Sequence, residues 1–421
     1  RFIGYDVLKT DKAVISGILV GGQLAEQVNE GDEAVLILDE TPFYAESGGQ
    51  VGDTGMISTA DASFSVEDTI KLGGTFFGHV GRVKTGSLKP TQKVSAVVDA
   101  ERRQQIVIHH SATHLLHRAL RDILGTHVEQ KGSLVAPDYT RFDFSHPKQL
   151  SREELHEIER HVTDAIRVNP LSISEIMSFD DALKTGAMAL FGEKYGNRVR
   201  VLRFGDLSTE LCGGTHVSRV GEIGQFKITS ESAIGSGVRR IMAVAGEAAV
   251  EYVQNMENQL QDIAHTLKVS PEVAPTRLVQ VLDKNQQLEK DLSALKSSLA
   301  SSGSDNLLDK VEEVDGVKLL TARMDDIDAS DLRDSVDHLK DRLGSGVVVL
   351  ASVDGEKVRI AVGVSKNLTT RIKAGNLVNY VASQVGGRGG GRPDFAQAGG
   401  NNPALLDQAL SSVSAWVAEQ T

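Results

Sequence analysis

The sequence predicts a multidomain α+β fold, and three observations carry that prediction. At 421 residues the chain exceeds the roughly 100–200 residues of a typical domain, so more than one core is expected. Stretches of short β-rich runs and stretches of helical periodicity follow one another along the chain instead of mixing evenly. Composition is 40% hydrophobic and 24% charged, which excludes disordered, collagen-like and low-complexity classes.

Residues 1–100 read as a small β-barrel. The runs Ala13–Val20, Ala34–Leu38, Ser63–Val66 and Val94–Val98 lie between glycine turns, and no helical period intervenes. Thr41–Gly55, TPFYAESGGQVGDTG, is a glycine-rich connection whose plainest reading is a set of tight turns.

Residues 101–245 read as an α+β domain. A helix runs from about Glu101 to Leu124 on the apolar face of Ile106, Val107, Leu115, Leu116, Ala119 and Ile123, and Gly125 is placed to end it. A second helix, Ser151–Val168, opens with a Ser151/Glu154 capping box and is followed by Pro170. Strands are expected at Ser133–Val135, Arg141–Phe144, Leu171–Met177, Val199–Phe204 and Gly224–Thr229.

Residues 246–304 read as a helical hairpin, with a dimerising coiled coil as the rival. Ala249, Val253, Met256, Leu260, Ile263 and Leu267 form one seam. Leu278, Val281, Asn285, Leu288, Leu292, Leu295 and Leu299 form the other, with Asn285 as its polar member. After the Ser301–Ser304 stretch, residues 305–421 alternate strands (Val317–Thr321, Val347–Val353, Val358–Val364) with helices, the mark of a terminal α/β domain.

A net charge of −12 argues against a surface coated in basic residues, but the charge is unevenly placed. Residues 305–342 hold twelve acids against six Lys or Arg, whereas residues 357–393 hold seven basic residues and no acid. A local basic face can bind phosphate on an acidic protein because salt screens the field within roughly 8 Å. The other reading of that run is a solvated face. The single cysteine, Cys212, cannot form an intrachain disulfide, which points to a reducing compartment. No run approaches the roughly 18 apolar residues of a membrane span, and the first residues do not read as a signal peptide. The chain begins with Arg1 and not Met, so a fragment of something longer is expected.

The segment that carries chemistry is His109–His117, HHSATHLLH. His110 and His114 are four apart and project from one helix face, one turn apart. Cys212 and His216 flank a Gly-Gly-Thr turn in Leu211–Val217, LCGGTHV. Together they offer three imidazole nitrogens and one thiolate, a set that suits tetrahedral Zn. His109 or His117 could replace one of the ligands. Taken singly, such a histidine pair also fits surface or core, and a lone cysteine also fits a small buried hydrophobe. No Glu stands beside His110, so the helix is not the His-Glu-x-x-His arrangement of metalloproteases.

HHSATHLLH, CGGTHV and FYAESGGQVGDTG together resemble the editing region of alanyl-tRNA synthetases, and free-standing alanyl-tRNA editing proteins share the first two motifs. Gly386–Gly400, GGRGGGRPDFAQAGG, is similar to the terminal domain that these synthetases share with DHH phosphoesterases. The order of barrel, editing domain, helical hairpin and glycine-rich terminal domain matches that family across essentially the whole chain. The family's class II aminoacylation core, which binds ATP and alanine, normally precedes this region, so a fragment that does not charge tRNA by itself is expected.

The resemblance implies a cytoplasmic aminoacyl-tRNA hydrolase that clears serine or glycine from mischarged tRNA(Ala), with Zn held by His110, His114, Cys212 and His216. It places Thr113, Gln130 and Ser133 in the pocket and Arg239 near the terminal phosphate or ribose. The alternatives are Thr113 bonding its own helix backbone, and Gln130 and Ser133 solvating strand ends. Arg388 and Arg392 would flank a glycine backbone that approaches RNA phosphate. That stretch lacks the endings of a P-loop or a dinucleotide fingerprint, so nucleotide binding is disfavoured. A homodimer is a further expectation; neither DNA nor a membrane is expected as a partner. The rival function is a non-catalytic tRNA-binding and dimerisation fragment with structural zinc, and a free-standing editing protein is the third.

Overall fold

The computed structural model describes residues 1–188, 196–305, 307–325 and 327–421, with the side chains of 296–305 left out. It divides into two compact units, Arg1–Ile263 and Ala264–Thr421.

The first unit begins with a closed barrel of six strands: β1 (Lys9–Val20), β2 (Glu33–Leu38), β3 (Gly55–Ser58), β4 (Ser63–Leu72), β5 (Phe76–Thr85) and β6 (Lys93–Val98). The order is β1-β2-β5-β4-β3-β6, and β6 pairs back onto β1, so the barrel has no free edge. Alternation supplies its core, in which Ile15, Ile18, Leu36, Ile57 and Phe64 are fully buried. β5 escapes sequence reading because Gly78 and Gly81 interrupt its pattern. A Cβ at Gly81 would stand 1.8 Å from the Ser65 carbonyl oxygen, so the strand pairing itself excludes a side chain there.

Helix α1 (Ala100–Leu124) follows directly, capped by the Asp99 side chain, which accepts from the Arg102 amide, and ended by Gly125. Arg103 ties the helix to the barrel. It forms a buried ion pair with Asp53 and donates to the carbonyls of Gly4 (2.9 Å) and Pro42 (3.0 Å). Helix α2 (Arg152–Val168) opens with the expected capping box. One face of α1 packs on the antiparallel sheet β7 (Gln130–Val135), β8 (Thr140–Ser145), β13 (Val238–Ala245) and β12 (Phe226–Gly235), in the order β7-β8-β13-β12. A second sheet aligns β9 (Ser172–Ser178), β10 (Arg198–Phe204) and β11 (Ser208–Leu211). β11 and β13, unforeseen from sequence, are the strands that flank the site. Helix α3 (Glu247–Leu267) closes the unit and runs a few residues past its boundary.

In the second unit α4 (Ala274–Asp305) runs through the Ser301–Ser304 stretch, because one glycine costs a helix only about 1 kcal/mol. Its seam residues Leu278, Val281, Leu288, Leu292 and Leu295 are exposed, and the Leu299 side chain lies outside the described residues. A six-stranded sheet follows: β14 (Glu312–Val314), β15 (Val317–Arg323), β16 (Gly346–Asp354), β17 (Lys357–Val364), β18 (Arg388–Gly391) and β19 (Phe395–Gly400), in the order β14-β15-β16-β17-β19-β18. Only β15 and β16 are parallel, and the helix between them, α5 (Ala329–Leu343), packs against the sheet. Helix α6 (Ala374–Gln384) belongs to a separate core. The glycine-rich stretch is thus a hairpin at the sheet edge. No helix among the described residues is long and apolar enough to cross a membrane.

Candidate metal centre

α1 presents His110 and His114, and the turn after β11 presents Cys212 and His216. One ligand atom from each lies within 4.8 Å of all the others. Cys212 Sγ stands 3.4 Å from His110 Nε2 and 3.3 Å from His216 Nε2. The outer nitrogens are held by acceptors. His110 Nδ1 meets Gln50 Oε1 at 2.7 Å, and His114 Nδ1 meets Glu210 Oε2 at 2.5 Å. His216 Nδ1 meets Ser111 Oγ at 3.4 Å, and that hydroxyl already donates to the Val107 carbonyl. Each ring therefore carries its proton on Nδ1 and turns the Nε2 lone pair inward, the arrangement by which outer partners orient metal-binding histidines. His114 Nε2 is buried without a hydrogen-bond partner. An unbonded buried acceptor costs about 1–3 kcal/mol, and a cation bound by these four donors removes that cost. The residues present fit a metal ion.

The electrostatics favour the same conclusion. Burial opposes ionisation of Cys212, but His110, His216 and His114 outweigh it and bring the thiol well below its ordinary range. Burial likewise opposes the Glu210 carboxylate, which His114 and His117 nevertheless hold far below the usual carboxylate range. Burial pulls the pKa of His216 down to about 3 and leaves that ring neutral; around His114 the Glu210 and Cys212 anions outweigh burial and draw positive charge to the ring, as a second proton or, in exchange for it, a cation on Nε2. A thiolate and a carboxylate in a dry interior call for positive charge.

The local folding is set by loops. The barrel connection of residues 47–51 lies along the edge of β7, with Val51 N on Val135 O (3.1 Å) and Val135 N on Gly49 O (2.7 Å). Gly49 has φ +84°, and a Cβ there would meet Ser133 O at 2.7 Å. This docking delivers Gln50, which accepts from His110 and from Thr215 N (3.0 Å) and donates to Thr215 Oγ1 (2.9 Å). Arg200 holds the Cys-Gly-Gly turn by donating to the carbonyls of Cys212 (3.1 Å) and Gly214 (3.0 Å). Gln50, Glu210, Ser111 and Arg200 were not foreseen. Only Glu210 had a local signal, since on a strand it shares a face with Cys212 two residues on.

His109 is excluded from the cluster by its bonds: Nδ1 donates to Gln105 O (2.9 Å), and Nε2 accepts from Ala245 N (3.1 Å). His117 is buried with both nitrogens unbonded and lies 3.7 Å from Glu210. Thr113 Oγ1 donates to His109 O (2.8 Å) and pairs with Thr140 Oγ1 (2.6 Å). A bulge in β7 puts Gln130 opposite Phe144 and Ser133 opposite Phe142, so both face the side of the sheet that packs on α1. Arg239, opposite Phe144 on β13, gives Nε and Nη2 to Glu231 at 2.5 and 2.7 Å. In the second unit Arg388 and Arg392 are exposed, and Arg392 lies 3.3 Å from Asp394. A Cβ at Gly389 or Gly391 would stand 2.2 or 2.4 Å from carbonyl oxygens of β19.

Three family profiles match the chain: "tRNA synthetases class II (A)" over residues 1–102, "Threonyl and Alanyl tRNA synthetase second additional domain" over 199–242, and "DHHA1 domain" over 316–419. Alanine–tRNA ligases of Paraburkholderia xenovorans and Methylobacillus flagellatus are each 50% identical over 419 residues, which is 100% of this chain and 48% of theirs. The C-Ala domain of Aquifex aeolicus alanyl-tRNA synthetase aligns at 30% identity over 26% of this chain and 97% of that one, with a TM-score of 0.25. The chain spans about half the length of the relatives it matches.

Proposed function

We propose, from the premise that this chain is related to the alanine–tRNA ligases over its whole length, that it hydrolyses the ester joining serine or glycine to mischarged tRNA(Ala). The observation that carries the proposal is the buried three-histidine, one-cysteine cluster with an unbonded inward nitrogen on His114. The chemical need is clear. A pocket built for alanine discriminates poorly against a ligand that differs by one methyl or one hydroxyl, roughly 10–200-fold, so a second site must read what the first cannot.

In this reading His110, His114, Cys212 and His216 hold Zn. A fully ligated zinc would supply fixed positive charge and order the surrounding polypeptide, the role of a closed four-donor site. Water attacks the ester carbonyl carbon, the bond to the ribose oxygen breaks, and a proton from the water passes to that oxygen. Aminoacyl esters are already activated, so positioning and oxyanion stabilisation suffice, without a covalent intermediate. Gln130 and Ser133, half-buried and with side chains unbonded among the described residues, are assigned to the serine hydroxyl. Thr113 is assigned to the same pocket, and its hydroxyl pairs with Thr140 of β8. Arg239 keeps Nη1 free of Glu231 and is assigned to the ribose or terminal phosphate. Arg388 and Arg392 are assigned to tRNA phosphates, and the exposed seam of α4 to a homodimer.

The test is serine release from Ser-tRNA(Ala), with Ala-tRNA(Ala) as control, for zinc-loaded wild type and Cys212→Ala. Rapid serine release, spared alanine and an inactive, zinc-free variant are expected. Full activity in zinc-free Cys212→Ala overturns the reading. No release by wild type that binds the tRNA favours the non-catalytic alternative.

A further inference from the structure

Two further histidines meet at the C-terminal end of α1. His127 stands in the link between α1 and β7, and His146 directly follows β8. His127 Nε2 and His146 Nδ1 lie 2.9 Å apart, and the rings are nearly parallel, at 26°, with centroids 5.1 Å apart. Leu124, where the helix ends, lies about 15 Å beyond His114 at roughly 1.5 Å per residue, so this pair is separate from the candidate metal centre. Nothing in the proposed hydrolysis uses it.

The backbone holds both rings in place. Ser145 Oγ donates to the His127 carbonyl (2.7 Å) and accepts from the Glu129 amide (2.9 Å), while the His146 amide donates to Gly237 O (3.0 Å). Gly125, at φ +118°, turns the chain closely past the ring, since a Cβ there would stand 3.0 Å from His127 Nδ1. One side is open: His127 is exposed and His146 half-buried. Burial and the neighbouring His127 hold the His146 pKa below its ordinary value; Arg239 acts in the same sense, and Glu154 and Glu231 oppose it. His146 is therefore neutral at pH 7 and has a lone pair to offer.

Two imidazole nitrogens so placed share one proton, and their spacing is also that of two ligands on one ion. With metal–nitrogen bonds of about 2.0–2.1 Å, a separation of 2.9 Å subtends about 90° at the metal. Tetrahedral zinc needs about 109°, hence about 3.3–3.4 Å, and would push the rings apart. Right-angle coordination belongs to square or octahedral Ni(II) and Cu(II), ions that imidazole suits. To bind one, the donating ring moves its proton to its other nitrogen. Both lone pairs then face one point, and water fills the positions on the open side.

We infer that His127 and His146 form a surface site for a divalent transition-metal ion that takes its ligands at right angles, Ni(II) or Cu(II). The site is independent of the buried cluster and of the proposed hydrolysis.

The experiment is calorimetric titration of Ni(II), and separately of Zn(II), into zinc-loaded wild type, His127→Gln and His146→Gln at neutral pH. Zinc content is measured before and after the Ni(II) titrations, and thermal melts check each fold. The expected result is one Ni(II) per wild-type chain at constant zinc content, held severalfold more tightly than added Zn(II). Each variant should bind Ni(II) more weakly by about tenfold or more, since losing even a supporting group costs about that much. No saturable Ni(II) binding to wild type overturns the inference, as does wild-type affinity in either variant. Tighter binding of added Zn(II) than of Ni(II) overturns the right-angle geometry. If His146→Gln fails to fold, His127→Gln decides alone, because that ring is exposed. Serine release enters none of these outcomes, so the inference stands or falls apart from the hydrolase.

Discussion

Replacing Gly214 by Ala should dismantle the candidate metal centre, while the same change at the adjacent Gly213 should leave it intact. A Cβ on Gly214 would lie 2.1 Å from His110 Cε1, 2.5 Å from its Nδ1 and 2.9 Å from Gln50 Oε1. Carbon atoms in contact prefer about 3.5–4.0 Å, so the ring or the turn must shift by more than about 1 Å. Neither yields cheaply, since Arg200 grips the turn through two carbonyls and Gln50 ties His110 to Thr215. Metal–ligand distances tolerate about 0.2 Å, so a shift of that size takes His110 out of the ligand set. Zinc affinity should fall by at least about 10–100-fold, the range seen when a supporting group alone is lost. Overpacking adds a destabilisation of about 1–3 kcal/mol. A Cβ on Gly213 meets no heavy atom within 4 Å, and its φ lies outside the left-handed region, so Gly213→Ala should stay within about 0.5 kcal/mol of wild type. Competition for zinc against a chromophoric chelator, with thermal melts of both variants, reads the contrast. Wild-type zinc affinity in Gly214→Ala, or equal loss in Gly213→Ala, refutes the assignment of His110 as a ligand packed against this turn.

Glu210→Gln keeps an oxygen acceptor for His114 Nδ1 but removes the charge, and should lower zinc affinity about 10–100-fold in the same chelator assay. His79 gives the barrel a pH dependence. It is buried and neutral between Leu36 O and Thr41 Oγ1, and burial holds its pKa down to about 4. The unfolded chain takes up that proton below about pH 6.5, so this contribution to stability is complete above 6.5 and is lost as pH falls toward 4. At about 1.36 kcal/mol per unit, urea melts should show wild type losing about 2 kcal/mol between pH 7 and 5 that His79→Gln does not lose. In the second unit, Arg388→Ala and Arg392→Ala together should weaken tRNA binding and reduce the slope of log K against log salt by about 2. Arg388 should contribute the larger share, because Asp394 already competes for Arg392; an unchanged slope removes both from the interface.

The gathering of His110, His114, Cys212 and His216 was legible because it depends on two local rules: helical spacing for the first two, and a short turn for the last two. The order of barrel, α+β domain, long helices and terminal sheet was legible for the same reason, since each stretch carries its own period. What completes the site was not. Gln50 reaches His110 across 60 positions and Glu210 reaches His114 across 96, and no periodicity encodes such pairings. Thr113 shows the limit within one helix, where its hydroxyl bonds His109 O as any mid-helix threonine can and also meets Thr140 on a strand.

Glycine is the hardest residue to read because two causes leave the same mark. Close approach of a ligand and close approach of a neighbouring backbone both require that Cβ be absent. At Gly49, Gly389 and Gly391 the nearest would-be contacts are backbone oxygens of the chain itself, so these glycines are fully accounted for by folding. At Gly213 and Gly390 no atom of the chain lies within 4 Å of where a Cβ would stand. Folding therefore places no demand on those two, and they are where a requirement for glycine would have to come from a ligand. Gly213 lines an aromatic cavity beside Cys212, and Gly390 lies midway between Arg388 and Arg392. Alanine at either position should leave the melting temperature unchanged. Any loss of RNA binding it caused would thus report contact with the RNA and not damage to the fold.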